Sequence, residues 1–204
     1  SSQTLSNGTL LHSKIKPLTL KRGGLELTKT VNSLEVLEHQ TVFSISKLPD
    51  SPGIAAQIFE TLSEANINVD LIIQATHDGE SNDIAFTVNE FELTKTIDQC
   101  KLITNQLGGE YNFKTNMTKL SIQGAGIMGR PSVSADLFDT LSQANINVRL
   151  IATSEIKVSC VIDIDNIPKA IRFVGEKFKL SDKQIFINPV IAREDLPEVR
   201  GIAL

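Results

Sequence analysis

The phrase "EANINVD" at residues 64–70 returns as "QANINVR" at residues 143–149. A chain that repeats such a phrase at fixed spacing is built from two copies of one structural unit. Aligning residues 50–73 with 129–152 gives identities at Pro52, Ala56, Phe59, Thr61, Leu62, Ser63, Ala65, Asn66, Ile67, Asn68, Val69, Leu71 and Ile72. The copies differ pointedly at the last letter of the phrase, where Asp70 becomes Arg149.

Each copy has the same order of elements. "TVFSIS" (41–46) alternates as a strand does. Ser51-Pro52 reads as an N-cap followed by proline at the first helical position. Ile54, Ala55, Ile58, Phe59 and Leu62 then share one helical face, opposite Gln57, Glu60 and Glu64. "NINVDLIIQ" (66–74) is extended, "DGESN" turns the chain, and "DIAFTV" (83–88) is a third strand. Residues 92–107 form a second helix on the stripe Leu93, Ile97, Cys100, Ile103 and Leu107, which Gly108-Gly109 ends. "EYNFKTN" returns as a strand. The order βαββαβ predicts an α+β fold: two tandem ferredoxin-like units with helices on one face of antiparallel sheets. The second copy predicts a strand at 118–123, a helix at 131–144, strands at 146–153 and 156–163, and a helix at 167–178. Its fourth strand has two candidates, "SLEVLE" (33–38) and "IFINPV" (185–190), and Pro189 confines the latter to an edge.

Composition narrows the function classes. The chain has 204 residues, 41% of them hydrophobic, a formal charge of −4, one Tyr and no Trp. A basic patch with interleaved aromatics, which a nucleic-acid binder needs, is missing. No apolar run approaches the roughly 18 residues of a membrane helix, and no secretory leader is read at the start. Cys100 and Cys160 are far apart and read as reduced, buried thiols, which predicts a cytoplasmic or plastid-stromal setting. His12, His39 and His77 share no spacing with one another or with a carboxylate pair, and no metal or catalytic role is read into them.

Three places carry candidate chemistry. "GAGIMG" (124–129) matches a dinucleotide fingerprint, with Glu155 as a ribose ligand. Pro131 starts the helix too late for that fingerprint, and an antiparallel order lacks the parallel crossover it requires. The first copy has Ile45, Lys47 and Asp50 at these positions, so a glycine-rich loop is the better reading. The loop "PDSPG" (49–53) sets helix N–H groups beside an edge, either as a plain cap or as a dock for an α-carboxylate. Asn68, Asp70 and Gln74 alternate onto one strand face with Ile72, where a carboxylate and a carboxamide can meet an ammonium and a hydroxyl.

The stretches "LPDSPGIAAQIFETLSEANINVDLIIQ" and "AGIMGRPSVSADLFDTLSQANINVRLIATSEIKVSCVID" resemble the regulatory region of aspartate kinase, a tandem pair of ACT domains. "SSQTLSNGTLL" is similar to the last strand of the kinase domain. "EVRGIAL" is similar to the strand that opens an ACT pair, as in the four-ACT enzymes of cyanobacteria and red-algal plastids. The resemblance implies residues 1–30 as kinase tail or linker, 31–116 as the first ACT domain and 117–183 as the second. Residues 184–204 would be a linker towards a further pair, and residues 31–40 can lend a strand to the second domain.

The glycine-rich kinase signature "KFGG" is missing, so the resemblance implies a regulatory piece with no chemistry of its own. ATP and magnesium would belong to the parent kinase domain, and this chain would carry no cofactor and no metal. It also implies feedback inhibition by threonine or lysine, and a homodimer through the ACT domains. The effector would lie between the first-copy loop of one chain and the second-copy "NINV" (145–148) of the other. The implied effector positions are Asp50, Ser51, Pro52, Gly53, Ile54, Ala55, Asn68, Val69, Asp70 and Gln74, with Ser134, Asn147, Val148, Ser154 and Glu155 from the second copy. At Ser132 the chain departs from the glycine of the family pattern, which weakens an equivalent pocket at 130–134. The competing function is a constitutive dimerisation module whose pocket has lapsed.

Overall fold

A computed structural model describes residues 29–77 and 81–188. The kinase-like stretch up to residue 28, the apex of the "DGESN" turn (78–80), and Pro189 with the tail after it lie outside them. The elements are β1 (Ser33–Pro49), α1 (Ile54–Glu64), β2 (Val69–His77), β3 (Ser81–Asn89), α2 (Leu93–Leu107), β4 (Glu110–Gln123), α3 (Pro131–Gln143), β5 (Leu150–Thr153), β6 (Lys157–Asp163), α4 (Ile167–Phe178) and β7 (Ile185–Asn188). Two βαββαβ units share one sheet with strand order β2-β3-β1-β4-β6-β5.

Two long strands join the units. β1 runs 17 residues and β4 runs 14, fusing segments that the sequence suggested were separate strands. Each switches phase at a left-handed residue, His39 at φ 54 and Asn116 at φ 56. Leu34 and Val36 are buried in the second core, whereas Phe43 and Ile45 are buried in the first. A bulge that inserts one residue turns the following side chains to the other face. Thus 33–37 pairs antiparallel with 119–123 of β4, while β7 adds a parallel strand on the other side of the same segment. Both candidate segments are used, residues 33–37 as an inner strand beside β4, and β7 as the edge strand next to them.

Each unit has its own core beneath its helix pair. In the first, Phe43 stacks on Phe86 at 5.6 Å and Phe59 meets Phe86 edge-on at 6.1 Å. In the second, aliphatic side chains such as Leu120, Ile122, Leu137 and Val174 fill the space. Cys100 and Cys160 are free and buried, and burial pushes both thiols up to about 12. No helix among the described residues is long and apolar enough to cross a membrane.

Thr41 and Thr118 open corresponding strands, "TVFSIS" and "TKLSIQ". Both are fully buried, and neither hydroxyl has a hydrogen-bond partner. An unmet buried hydroxyl costs about 1–3 kcal/mol, and a methyl in its place removes that penalty. Thr41→Val and Thr118→Val should therefore each raise stability by about 1 kcal/mol, lifting the thermal midpoint by roughly 2–4 °C. Calorimetric melting of the two variants checks this.

Candidate functional site

The start of α1 departs from the expected cap. The helix begins at Ile54, and its N-cap is Gly53 in the left-handed region at φ 95, with no side-chain cap bond. Ser51 and Pro52 precede the helix and do not cap it, which corrects the expected boundary. Asp50, Ser51, Pro52 and Gly53 are all exposed, Ile54 is buried in the first core, and Ala55 is half-buried. A Cβ on Gly53 would meet nothing closer than Gln57 at 4.0 Å, so the backbone angle and not crowding selects glycine there. The first N–H groups of the helix have no acceptor within it; that of Ile54 donates to the Ser51 carbonyl at 3.4 Å, and Asp50 stands four residues before it in the chain.

Asp50 is itself held. Its Oδ1 accepts a 2.8 Å hydrogen bond from the Asn82 amide of β3. Asn82 was not among the candidates from sequence. Its signal was nevertheless present: it falls in phase with Ile84 and Phe86, a polar residue in a core-facing register.

The residues proposed from sequence separate into groups. Asn82 lies opposite Thr76 in the pairing of β2 with β3, and Gln74 lies opposite Ile84. Gln74 therefore shares an end of the first unit with the Asp50 loop. Asn68, Val69 and Asp70 lie at the other end of β2, six residues from Thr76, a distance of about 20 Å at the strand rise. Asn147 and Val148 precede β5, a strand that contacts β2 within the chain. Ser134 lies half-buried in the first turn of α3, while Ser154 and Glu155 form the exposed turn between β5 and β6. The depression that Asn147 and Val148 line includes no residue of the Asp50 loop.

Asp70 and Arg149 meet partners from their own chain. Asp70 pairs with Lys119 of β4. β4 lies three strands away in the sheet order, so the pair ties the edge strand of the first unit to a strand that runs on into the second. Arg149 lies 3.6 Å from Asp163, which also takes a 2.6 Å bond from Lys114. The Lys114 hydrogen bond chiefly, with Coulombic help from Lys114 and Arg149 against some desolvation, holds the Asp163 carboxyl below the usual range. The change from acid to base between the copies is thus matched by opposite partners within the chain. Asp70, expected to meet an effector ammonium, already meets the ammonium of Lys119.

A depression of about 560 Å³ lies between α3 and the approach to β5, lined by Phe138, Ser142, Asn145, Ile146, Asn147, Val148 and Ile151. Every one of these has an identical counterpart in the first copy, from Phe59 through Ile72. Asn66 and Asn145 adopt the left-handed region at φ 56 and φ 52 and close their helices, so both strands begin later than the sequence suggested. Beyond them, Ile72 and Ile151 stand 50% and 46% exposed on the edge strands β2 and β5.

The second unit's equivalent of the Asp50 loop is occupied by the chain itself. Gly124 and Gly126 lie against the backbone of Thr30 and Val31, and Arg130 donates 2.9 Å to the Thr30 hydroxyl. α3 starts at Pro131 under Arg130, with no glycine in the Gly53 role. The first two glycines of "GAGIMG" therefore make room for the segment leading into β1, whereas Gly129 stands in open space at φ 72. Among the described residues no group of three or more His, Cys, Asp or Glu is placed to hold a metal.

Profiles of the ACT domain match residues 41–99 and 120–178. An aspartokinase of Thermus thermophilus is 33% identical over 181 residues, covering 85% of this chain and 44% of that protein. The chain thus spans less than half the length of the curated relatives it matches. The ligand-free regulatory subunit of aspartate kinase from Thermus thermophilus superposes with a TM-score of 0.70 at 31% identity, covering 74% of this chain and 99% of that one. Aspartate kinase from Synechocystis superposes with a TM-score of 0.73 at 36% identity, covering 77% of this chain and 28% of that one.

Proposed function

Because this chain belongs to the aspartate kinase family, as the tandem ACT pair of the regulatory region, we propose that it senses free threonine or lysine and sets the activity of an aspartate kinase accordingly. The observation that carries the reading is the α1 start, where an exposed carboxylate at Asp50 stands beside a helix opened by a left-handed Gly53. A zwitterionic amino acid brings two charges. Its α-carboxylate suits the helix N–H groups and their positive dipole end, and its ammonium suits Asp50.

The site is shared between two copies. β2 and β5 end the sheet order and carry exposed isoleucines, and open strand edges of this kind pair with another chain. Antiparallel pairing of β2 with the partner's β5 about a twofold axis sets the start of one strand beside the end of the other. The Asp50 loop and Gln74 of one chain then face Asn147 and Val148 in the partner chain. Effector binding stabilises this arrangement and, by linkage, the kinase state that favours it. The parent's transfer of phosphate from ATP to aspartate, with magnesium, belongs to the same proposal.

Calorimetric titration of the 204-residue chain with threonine, lysine and methionine tests the reading, with the assembly state followed by sedimentation. The expected result is a dimer and saturable heat with threonine or lysine. A dimer that binds neither identifies a constitutive dimerisation module instead.

A further inference from the structure

We propose that Asn82 is a positioning residue of the first-unit site, retained to fix the Asp50 carboxylate and not to support the fold. The inference rests on the effector reading above. Asn82 is 4% exposed, and its amide nitrogen donates to Asp50 Oδ1 at 2.8 Å. Its other polar atom, the carbonyl oxygen, is buried with no hydrogen-bond partner. A buried amide left half-satisfied costs stability, and an apolar side chain of similar size would serve the core better.

The second unit has no such amide: the equivalent position holds an isoleucine that is 48% exposed and lies outside the second core. Ile84, Phe86 and Val88 correspond to Val158, Cys160 and Ile162 in the two cores, which sets Asn82 against Ile156. The repeat likewise sets Asp50 against Gly129. Both members of the pair are absent together from the unit whose loop is filled by Thr30 and Val31. Where Asp50 is missing, the position equivalent to Asn82 opens to solvent and carries no amide; the buried amide accompanies Asp50.

The bond also determines what Asp50 offers. With Oδ1 engaged from below, the carboxylate is held in one orientation with Oδ2 free, and an incoming ammonium does not have to fix a mobile side chain. Without Asn82 the carboxylate must be ordered at the moment of binding.

The test uses the 204-residue chain and two substitutions, with threonine and lysine as probes in calorimetry. Asn82→Leu should leave the thermal midpoint unchanged or raised while weakening affinity about tenfold, a separation that a merely structural residue does not give. Asn82→Asp places a second carboxyl against Asp50. Its binding should be poor at neutral pH and recover toward about pH 5, where the pair shares a proton and again presents one negative charge. Wild type should show no such recovery. If Asn82→Leu binds as wild type does, or Asn82→Asp shows the wild-type pH profile, the inference is overturned while the effector reading stands. If wild type binds neither amino acid, both fall together.

Discussion

Asp50→Ala is expected to weaken threonine or lysine binding by roughly 10- to 150-fold, the loss of one charge-assisted hydrogen bond of about 1.5–3 kcal/mol. An ammonium entering a site loses water, and an ionised, pre-oriented partner offsets that loss. Asp50 is exposed, and Asn82 holds only one of its oxygens. Asp70 should behave differently. Its carboxylate is 35% exposed and paired with Lys119, which is 15% exposed. Asp70→Ala strips a largely buried ammonium of its partner, so the damage should appear in stability and only weakly, about threefold or less, in affinity. Parallel calorimetric titrations and melts of the two variants distinguish them. Equal losses of affinity from both would mean that the Lys119 pair opens to admit the effector.

The second large effect concerns folding. Gly126→Ala would place a Cβ 2.6 Å from Thr30 Cα, and Gly124→Ala would collide with the Thr30 carbonyl and approach Val31 Cα to 2.9 Å. The obstacles are backbone atoms, which cannot rotate away. Overpacking of this kind costs about 1–3 kcal/mol or more, so each variant should melt roughly 4–10 °C lower. Gly175→Ala is the counterpart. Its Cβ would meet Ile185 at an ordinary 3.6 Å inside α4, and the gain in helix propensity should leave stability unchanged or raised by up to about 1 kcal/mol. Melts of the three variants at one concentration settle the matter. A Gly126→Ala chain as stable as wild type would show that the segment through Thr30 is not packed as described.

The parts of this architecture that the sequence disclosed are those with a period of their own. The α4 stripe repeats every three or four residues, and its boundaries, Ile167–Phe178, are those expected. The strands were harder because His39 and Asn116 reverse the alternation midway, so each long strand reads as two short ones. "NINV" alternates like a strand, yet Asn66 and Asn145 bend left-handed to finish a helix before extension begins. At the site, Gly53 was visible as a glycine, but the pairing of Ser51 with Pro52 imitated a cap that the backbone does not make. The partner of Asp70 was not legible for a simpler reason: Lys119 is 49 residues away in sequence, and nothing local announces it.

The claim that each effector site is built from two chains is tested most directly by mixing two disabled variants. Asp50→Ala and Asn147→Ala should each leave homodimers that bind threonine or lysine at least about tenfold more weakly than wild type, so that at wild-type saturating concentrations little heat is seen. In a mixed dimer, one site collects both defects and the other has an intact Asp50 loop facing an intact Asn147. Unfolding and refolding the variants together in equal amounts makes about half the dimers mixed, so about a quarter of the wild-type sites should return at wild-type affinity. A mixture as silent as its two components would contradict the shared site and place the whole pocket within one chain.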